Sequence, residues 1–524
     1  MQNPARSPII GIHLDQKGVA FKPEYIPRLL ADLAGQGINT VLIEYEDTFP
    51  FHGIDIAWDR KTLWSENTLR LFRTEALRNK IEIIPLQQCL GHLEYIFRWD
   101  ACRAFAEDRR YPGTLCLSNP RGKRLLFDML VQIMAGHPES RYVHLGLDEA
   151  HGLATCPKCR RLGGVLDVFV AYLHELCDIV ESFGKTPLMW SDMLEDHFSA
   201  EPLESIKKRV ILAPWDYGAN GNPTAAGRLA GFRISRTWLD EAGNVGAPAI
   251  GPNQQFIEDY PPAIRAMVKP HLAGRLFKPL FQADLWTKLG FRVVGASHIR
   301  VSADGPVMSR YTHCHTNLRA WSAAIKRNRQ LGHIGTSWAR GTPFCPPNFN
   351  IDLTWPNIMV LAQSMGASPK SFWPGIPPPT VQRLITQLGR SRLDWRLETK
   401  VADEMEALAP KLKAHRYEWE SIILMARVLR LHRRCDFARL EVDFFHANNR
   451  PVDSEWRRRL DDQAGIMRDM AVMKKRVRVH FSQRYHGVHF EEWLKDLFDL
   501  QTQRLRECQA ISRRKQRIAR RIYQ

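Results

Sequence analysis

The segment RYVHLGLDEAHGL, residues 141–153, alternates as a β-strand does and then ends at two adjacent acids, Asp148 and Glu149. Its apolar residues are typical of a strand buried in a parallel sheet. Two acids at such a place could simply cap the next helix, because carboxylates suit a helix N-terminus. At the end of a buried strand that also carries His144, the pair instead indicates a functional site. His151 follows closely, and the sequence assigns no role to it.

Seven similar runs accompany this one, so the chain contains eight strand-like runs before residue 341. Each run is short, apolar and mostly β-branched or aromatic. The eight runs are 8–15, 38–46, 81–88, 141–149, 186–193, 209–217, 291–298 and 332–340. Helical patterns separate them, such as 25–37, which ends on glycine, and 118–136, which opens with a capping-type Ser118. Eight strands alternating with helices predict a (β/α)8 TIM barrel, an α/β fold.

The domain boundaries follow from changes in composition. The connection between the sixth and seventh runs, about 218–290, is too long for one helix and predicts an insertion. A proline-rich break at 372–380 closes the barrel region, and the residues beyond it carry apolar stripes at helical spacing. We predict a barrel domain over 1–372 and a C-terminal α-helical domain over 381–524. Two roles are open for these helices, a homodimer interface or one wall of the cleft.

The composition is that of a globular protein, with 44% apolar and 25% charged residues. The sequence has no run of about 18 apolar residues, so we expect no membrane span. The N-terminal residues lack the features of a signal peptide. The ten cysteines are scattered in mostly apolar contexts. We therefore expect a reducing, cytoplasmic environment with buried thiols.

The net charge of +18 is weighted toward Lys/Arg runs near the C-terminus. Such runs indicate either an anionic partner or the solvated faces of helices. The runs lack the interleaved glycines and aromatic residues of a stacking platform for nucleic acid. We therefore favour solvated faces and expect no nucleic-acid partner.

The predicted strand ends carry many acids and tryptophans. In a barrel of this kind the active site lies where the strands end. The candidate residues there are Asp15, Lys17, Glu46, Asp47, His92, His144, Asp148, Glu149, Trp190, Trp215, Tyr217 and Trp338. Carboxylates supply the acids and bases of glycoside chemistry, and indole faces stack against sugar rings. These residues favour a carbohydrate-active enzyme.

The motif CPKC, with Cys156 and Cys159, has the spacing of a metal or redox pair. A four-sulfur zinc site needs a second pair, and the sequence has no second CxxC. A metal with ligands from elsewhere and a loop of buried thiols both remain open. No glycine-rich phosphate motif follows the first strand. We expect no cofactor, and no metal in the active site.

The segment HLGLDEA, 144–150, resembles the His-x-Gly-x-Asp-Glu signature of family 20 glycoside hydrolases, the β-N-acetylhexosaminidases, and in particular the hexosaminidase D branch. The likeness covers roughly residues 8–345 and is loose beyond them. It runs in order through GIHLDQKG (11–18), LIEYEDTFPF (42–51), IIPLQQCLGHLEY (83–95), PLMWSDML (187–194), APWDY (213–217) and GTSWAR (335–340).

This resemblance implies exo-acting hydrolysis of terminal β-linked GalNAc or GlcNAc, with retention assisted by the substrate's own 2-acetamido oxygen. It makes Glu149 the general acid and then the base, while Asp148 orients the acetamido N–H and Tyr217 binds the acetamido oxygen. The other implied roles are pocket walls (Trp190, Trp215, Trp338), sugar-hydroxyl contacts (Asp15, Lys17) and a supporting layer behind Glu149 (His92, Glu46 or Asp47, His144). The implied partner is an oligosaccharide or small glycoside.

The sequence departs from the family pattern at two strand ends. The first strand reads HLDQKG where an arginine is usual, and the last reads Trp338-Ala339-Arg340 where Trp-x-Glu is usual. Recognition of the 4- and 6-hydroxyls is therefore unassigned, and only the branch favours galactosamine. Two other functions stay open. One is a non-catalytic barrel that binds glycans or polyanions, and the other is a conventional two-carboxylate glycosidase.

Overall fold

The structure, a computed structural model, describes most of the chain. All structural statements below refer to these residues. The described ranges are 7–224, 227–229, 232–233, 257–274, 276–300, 304, 307–340, 342–345, 347, 351–390, 395–447 and 454–523.

Eight parallel strands form a closed barrel, which confirms the predicted (β/α)8 fold. They are β1 (Ile9–Asp15), β2 (Thr40–Glu44), β3 (Glu82–Leu86), β4 (Tyr142–His144), β5 (Thr186–Trp190), β6 (Ile211–Ala213), β7 (Arg292–Arg300) and β8 (Gly332–Ser337). Each strand pairs with its neighbours in the sequence, and β8 pairs with β1 to close the ring. Because all strands are parallel, their carboxyl ends meet at one mouth.

Helices connect the strands and cover the outside of the barrel. The longer ones are α1 (Ile26–Gly35), α2 (Glu66–Arg78), α3 (Pro120–Gly136), α4 (Val165–Ser182), α5 (Phe281–Lys288), α6 (Tyr311–Arg327) and α7 (Trp355–Met365). The short ones are Glu94–Phe97, Asp100–Arg103, Asp192–Asp196, Ala200–Leu203 and Pro262–Val268. One predicted cap was wrong by one residue. Asn119, rather than Ser118, caps α3, because its side chain accepts the backbone N–H groups of Arg121 and Gly122.

The insertion predicted between β6 and β7 lies partly outside the described residues. The described parts contain two-residue strands at Gly227–Arg228, Phe232–Arg233, Leu272–Ala273 and Leu276–Phe277. The strand Leu276–Phe277 is joined to the start of the connection, since Thr224 and Phe277 exchange backbone hydrogen bonds of 3.0 and 2.8 Å. Two described parts of this connection, near residues 224 and 277, therefore lie side by side.

The C-terminal region consists of helices, as its sequence pattern predicts. They are α8 (Pro378–Arg390), α9 (Trp395–Leu408), α10 (Arg416–Ala447), α11 (Ser454–Phe481), α12 (Val488–Leu494) and α13 (Leu500–Tyr523). Their buried apolar residues belong to the same hydrophobic cluster as those between the barrel strands and α1–α7. The exact domain boundaries stay a prediction.

A buried arginine links the barrel to the C-terminal helices. Arg484 donates to the hydroxyl of Tyr25, to Asp352 and to Glu418, and Tyr485 donates to Asp352 at 2.6 Å. The side chains of Asp352 and Glu418 are fully buried. Because an unpaired buried charge is very costly, this network requires both regions to be in place.

Among the described residues, no helix has the length and hydropathy needed to cross a bilayer.

We predict that Gly332→Ala destabilises the protein by about 1–3 kcal/mol, because a residue with a side chain does not fit where β8 meets β1. A Cβ at Gly332 would lie 2.3 Å from the carbonyl oxygen and 2.6 Å from the nitrogen of Ile9. The free energy of unfolding from urea titration measures the loss. Gly35→Ala is the matched control, since its Cβ would meet no atom within 4 Å. Equal stability of the two variants would contradict the prediction.

Candidate active site

The two adjacent acids lie in a sharply bent segment just after β4. Gly146, Leu147 and Glu149 have positive φ angles of 66°, 72° and 49°. A left-handed backbone at residues other than glycine is uncommon and is concentrated at functional sites. The bend is fixed by a bond of 2.8 Å from the Glu149 N–H to Asp192 Oδ2. It allows two consecutive side chains to reach the same neighbour.

That neighbour is His92, which follows β3. Its Nε2 lies 3.2 Å from Asp148 Oδ2 and 3.5 Å from Glu149 Oε2. Burial by itself would lower the pKa of His92. The charge of Asp148 and hydrogen bonds to both carboxylates outweigh burial and raise that pKa well above its usual value. His92 is therefore a cation between two acids.

A glycine permits this close approach of two loops. A Cβ at Gly91 would lie 2.1 Å from the carbonyl oxygen of Asp148. His92 itself has a φ of 54°. Only a residue without a side chain fits at position 91, so the Gly-His pair in the sequence is a steric requirement of the site.

The two carboxylates differ in exposure. The side chain of Asp148 is 7% exposed, whereas that of Glu149 is 40% exposed. Asp148 Oδ1 is buried and has no hydrogen-bond partner among the described atoms. Buried polar atoms normally have a partner. The site thus offers one buried acceptor and one accessible carboxylate.

Aromatic side chains from β5, β6 and β8 form a connected wall. Trp215 stacks on Tyr217 with ring centroids 5.2 Å apart, and Trp190 lies 5.8 Å from Trp338. Trp338 Nε1 donates to the Tyr217 hydroxyl at 2.6 Å. Burial and the charges of Asp148 and Glu149 raise the pKa of Tyr217, although its hydrogen bonds with Thr336 and Trp338 oppose the shift. The phenol is therefore neutral and keeps its proton as a donor.

A cluster of buried charges lies at the ends of β1 and β2. Lys17 Nζ is 3.0 Å from Glu44 Oε1 and 3.7 Å from Asp15 Oδ2. Glu44 is also 3.2 Å from His13 Nε2 and accepts a bond from Gln88 at 3.1 Å. Burial would raise the pKa of Glu44, but the charge of Lys17 and the bonds from its partners hold that pKa well below the usual range. Glu44 is therefore ionised.

The cluster changes the interpretation of Asp15 and Lys17. We predicted that they contact sugar hydroxyls, but both side chains are buried, at 0% and 2% exposure. Asp15 uses Oδ1 for the Lys17 N–H and Oδ2 for the Ala339 N–H. Burial would lower the pKa of Lys17, yet the charges of Asp15 and Glu44 raise it. This prediction was wrong, because the two side chains bind each other and groups at the ends of the neighbouring strands.

The acids after β2 also differ from the prediction. Asp47 accepts bonds from Arg98 at 2.7 Å and from the Trp58 N–H at 2.8 Å. Glu46 is buried, and burial raises its pKa well above the usual value despite the charge of Lys17. The structure gives neither acid a hydrogen bond to His92. The acids that His92 contacts are Asp148 and Glu149 themselves.

His144 lies inside the barrel as a neutral side chain. Its ring is 4.3 Å from that of Trp190, and its Nδ1 accepts the N–H of Gly146 at 3.0 Å. Burial lowers the pKa of His144 to about 3. It therefore supports Trp190 and the bend after β4 without a charge.

Sequence reasoning assigned no role to four residues that hold this site together. They are His13, Glu44, Gln88 and Asp192. Asp192 bonds to both the Glu149 N–H and Trp215 Nε1. A signal was present, because Glu44, Gln88 and Asp192 lie near the ends of three predicted strand runs. Three groups of metal-ligating side chains occur among the described residues, and none includes Asp148 or Glu149.

Residues 63–232 match the family model described as glycosyl hydrolase family 20, catalytic domain. About a third of the chain is therefore similar to the family 20 catalytic domain. The matched segment contains His92, Asp148, Glu149 and Tyr217, while Trp338 lies beyond it. This match confirms the family resemblance of the Asp-Glu segment.

Two curated relatives are similar to the chain over 220 residues. The chain is 30% identical to hexosaminidase D of Bos taurus and 29% identical to hexosaminidase D of Homo sapiens, each over 220 residues. The matches cover 40% of this chain, and 63% and 45% of the relatives. The chain therefore spans less than two thirds of either relative.

Solved structures of similar proteins include the β-N-acetylhexosaminidase from Bacteroides fragilis NCTC 9343. The likeness has a TM-score of 0.45 at 13% identity and covers 73% of this chain and 70% of that one. The assignment of the barrel rests on the strand order of the chain itself.

We predict opposite protonation of two histidines in this site. Near neutral pH, NMR of the imidazole groups should find His92 protonated and His144 neutral. Asp148→Asn should lower the pKa of His92 and leave His144 neutral. The contribution of the His92–Asp148 ion pair to the free energy of unfolding should be complete below about pH 6.5. It should be lost as the pH rises through the raised pKa of His92. A neutral His92 near pH 7 in the wild-type protein would contradict this.

Proposed function

We propose that this domain is an exo-acting β-N-acetylhexosaminidase that works by substrate-assisted retention. The observation that carries the proposal is the buried, unpartnered Asp148 Oδ1 in the same site as the donor Tyr217, on which the charge of Asp148 acts. An N-acetyl group needs both an acceptor for its N–H and a donor for its carbonyl oxygen. The site supplies one of each.

The orientation of Tyr217 supports this assignment. An indole N–H can only donate, so Trp338 fixes the Tyr217 oxygen as an acceptor at 2.6 Å. We expect the phenol to donate its proton to the acetamido oxygen when substrate binds. The stacked Trp215 and the neighbouring Trp190 provide apolar faces for the acetamido methyl group and the sugar ring.

Glu149 carries the proton in the proposed mechanism. It is the more exposed of the two acids, and it can reach the glycosidic oxygen at the edge of the site. As the acetamido oxygen attacks the anomeric carbon, Glu149 protonates the leaving oxygen and Asp148 stabilises the charge on the acetamido nitrogen. Water then attacks the same carbon, Glu149 takes its proton, and the configuration is retained.

His92 stabilises the resting arrangement of both acids. As a cation it compensates the negative charge of the buried Asp148, which lies beside Glu149. It also holds Asp148 Oδ2, which leaves Oδ1 for the substrate. We assign it a positioning role.

The choice between GalNAc and GlcNAc is open. The residue where the family pattern has a glutamate, Arg340, is buried against His489 at 3.1–3.3 Å and is turned to the C-terminal helices. It therefore does not replace that glutamate as a hydroxyl contact. The galactosamine preference of the branch is the basis for testing GalNAc first. A cytoplasmic location and a homodimer stay predictions.

A conventional two-carboxylate glycosidase is the second candidate. That mechanism places two carboxylates on opposite sides of the scissile bond, about 5–5.5 Å apart for retention. Here both acids converge on one imidazole nitrogen. A non-catalytic barrel would bind glycans or polyanions without hydrolysis. A panel of aryl glycosides with and without the 2-acetamido group separates all three.

We predict that substrates with fluorinated acetamido groups react progressively more slowly. Fluorine withdraws electron density from the carbonyl oxygen, which is the nucleophile in the proposed mechanism. The measurement is kcat for aryl 2-acetamido sugars with zero to three fluorines on the methyl group. A rate independent of fluorination would favour attack by an enzyme carboxylate.

We predict that Glu149→Gln lowers kcat on 4-nitrophenyl N-acetylhexosaminides by about 10²–10⁴-fold, the usual contribution of general acid–base catalysis. The loss in the first step should be smaller for 2,4-dinitrophenyl glycosides, because that leaving group needs little protonation. Glu404→Gln is the matched control, since Glu404 pairs with Arg383 in the C-terminal helices. Wild-type turnover in Glu149→Gln would remove Glu149 from the mechanism.

A further inference from the structure

A second cluster of reactive side chains lies outside the proposed substrate site. It joins the two cysteines of the CPKC motif to Glu107 and Cys116, which follow β3. One ligand atom from each of the four residues lies within 4.8 Å of all the others. Cys116 Sγ is 3.8 Å from Cys156 Sγ and 3.7 Å from Cys159 Sγ. Cys159 Sγ is 3.2 Å from Glu107 Oε2.

These separations fit a tetrahedral ion. Zinc–sulfur bonds of about 2.3 Å at tetrahedral angles place two sulfurs about 3.8 Å apart. A sulfur and a carboxylate oxygen would be about 3.5 Å apart, slightly more than the Cys159–Glu107 distance. Three soft thiolates and one carboxylate select zinc over magnesium or calcium, which prefer oxygen. Four protein ligands leave no open position, which is typical of a structural site.

The surrounding backbone is arranged as around a thiolate–metal centre. The N–H groups of Ser118 and Cys159 point at the sulfurs of Cys159 and Cys156, each at 3.4 Å. Glu107 Oε1 accepts the Cys156 N–H at 2.8 Å, which orients Oε2 toward the sulfurs. Such outer contacts fix metal ligands and offset their negative charge.

The fold brings the ligands together from two loops. Residues 105–107 and 114–116 form a small antiparallel pair, in which Glu107 N–H bonds to Thr114 and Cys116 N–H bonds to Phe105. This hairpin also holds the loop of His92, through a bond of 3.0 Å from the Leu93 N–H to Gly113. The CPKC loop begins a few residues after Glu149.

We propose that Glu107, Cys116, Cys156 and Cys159 bind a structural Zn²⁺ ion that fastens the loop after β3 to the loop after β4. The ion joins the segment that carries His92 to the segment that carries Asp148 and Glu149. This proposal does not depend on the reaction that the domain catalyses.

The test is metal analysis of the full-length, untagged chain, purified without chelators. Mass spectrometry of the metal should find about one zinc per chain. Cys116→Ser and Cys156→Ser should each reduce this to below about a tenth, and Glu107→Gln should weaken binding. Cys102→Ser is the matched control, because Cys102 lies in the same loop but outside the cluster, and it should retain the zinc.

A second measurement on the wild-type chain covers the case in which a variant fails to fold. Removing zinc with a chelator should increase hydrogen exchange in residues 105–117 and 150–162, and adding zinc should restore protection. Cobalt in place of zinc should give the absorption of a tetrahedral thiolate site. A chain with four unmodified ligands and no zinc, with iron in its place, or with a disulfide among these cysteines would overturn the proposal.

Discussion

One buried ammonium group organises the mouth of the barrel. Lys17 lies between Asp15 and Glu44, and its ammonium is 4.6 Å above the ring of Trp338. Since an uncompensated charge in this position would be very costly, the ends of β1, β2 and β8 must meet. Trp338 in turn fixes the hydroxyl of Tyr217 beside the two acids. A charge cluster with no exposed group thus sets the geometry of the exposed site.

The other half of the site depends on backbone strain. Leu147, Glu149 and His92 all have a left-handed backbone, and Gly91 allows the chain to pass the carbonyl of Asp148. Such conformations persist only where surrounding contacts hold them. Asp192, in the short helix after β5, provides one such contact, and the cysteine cluster provides another if it binds zinc. A rigid arrangement suits two neighbouring carboxylates with different tasks, because each needs its own fixed direction.

The C-terminal helices are part of the same folded unit as the barrel core. Arg484 and Tyr485 bond to Asp352, which precedes α7, and Arg340, just after β8, bonds to His489 in α12. Basic side chains of these helices pair with acids on neighbouring helices, as in Lys474–Asp499 and Arg434–Asp469. These pairs offset part of the positive charge within the helical region. The helices thus bind Arg340, the residue that lies where the family pattern has a glutamate at the substrate.

The sequence by itself determined the eight strands, their order and the acids at the end of β4, because apolar periodicity and strand-end chemistry are local patterns. It also placed His92, Tyr217 and the tryptophans at one mouth, since parallel strands end together. Only the tertiary structure decided which polar residues are exposed. Asp15 and Lys17 look like substrate contacts in sequence, yet pairing with Glu44 buries them. Glu107 and Cys116 have no motif spacing, because their meeting with Cys156 and Cys159 depends on two loops that come together only in the folded barrel.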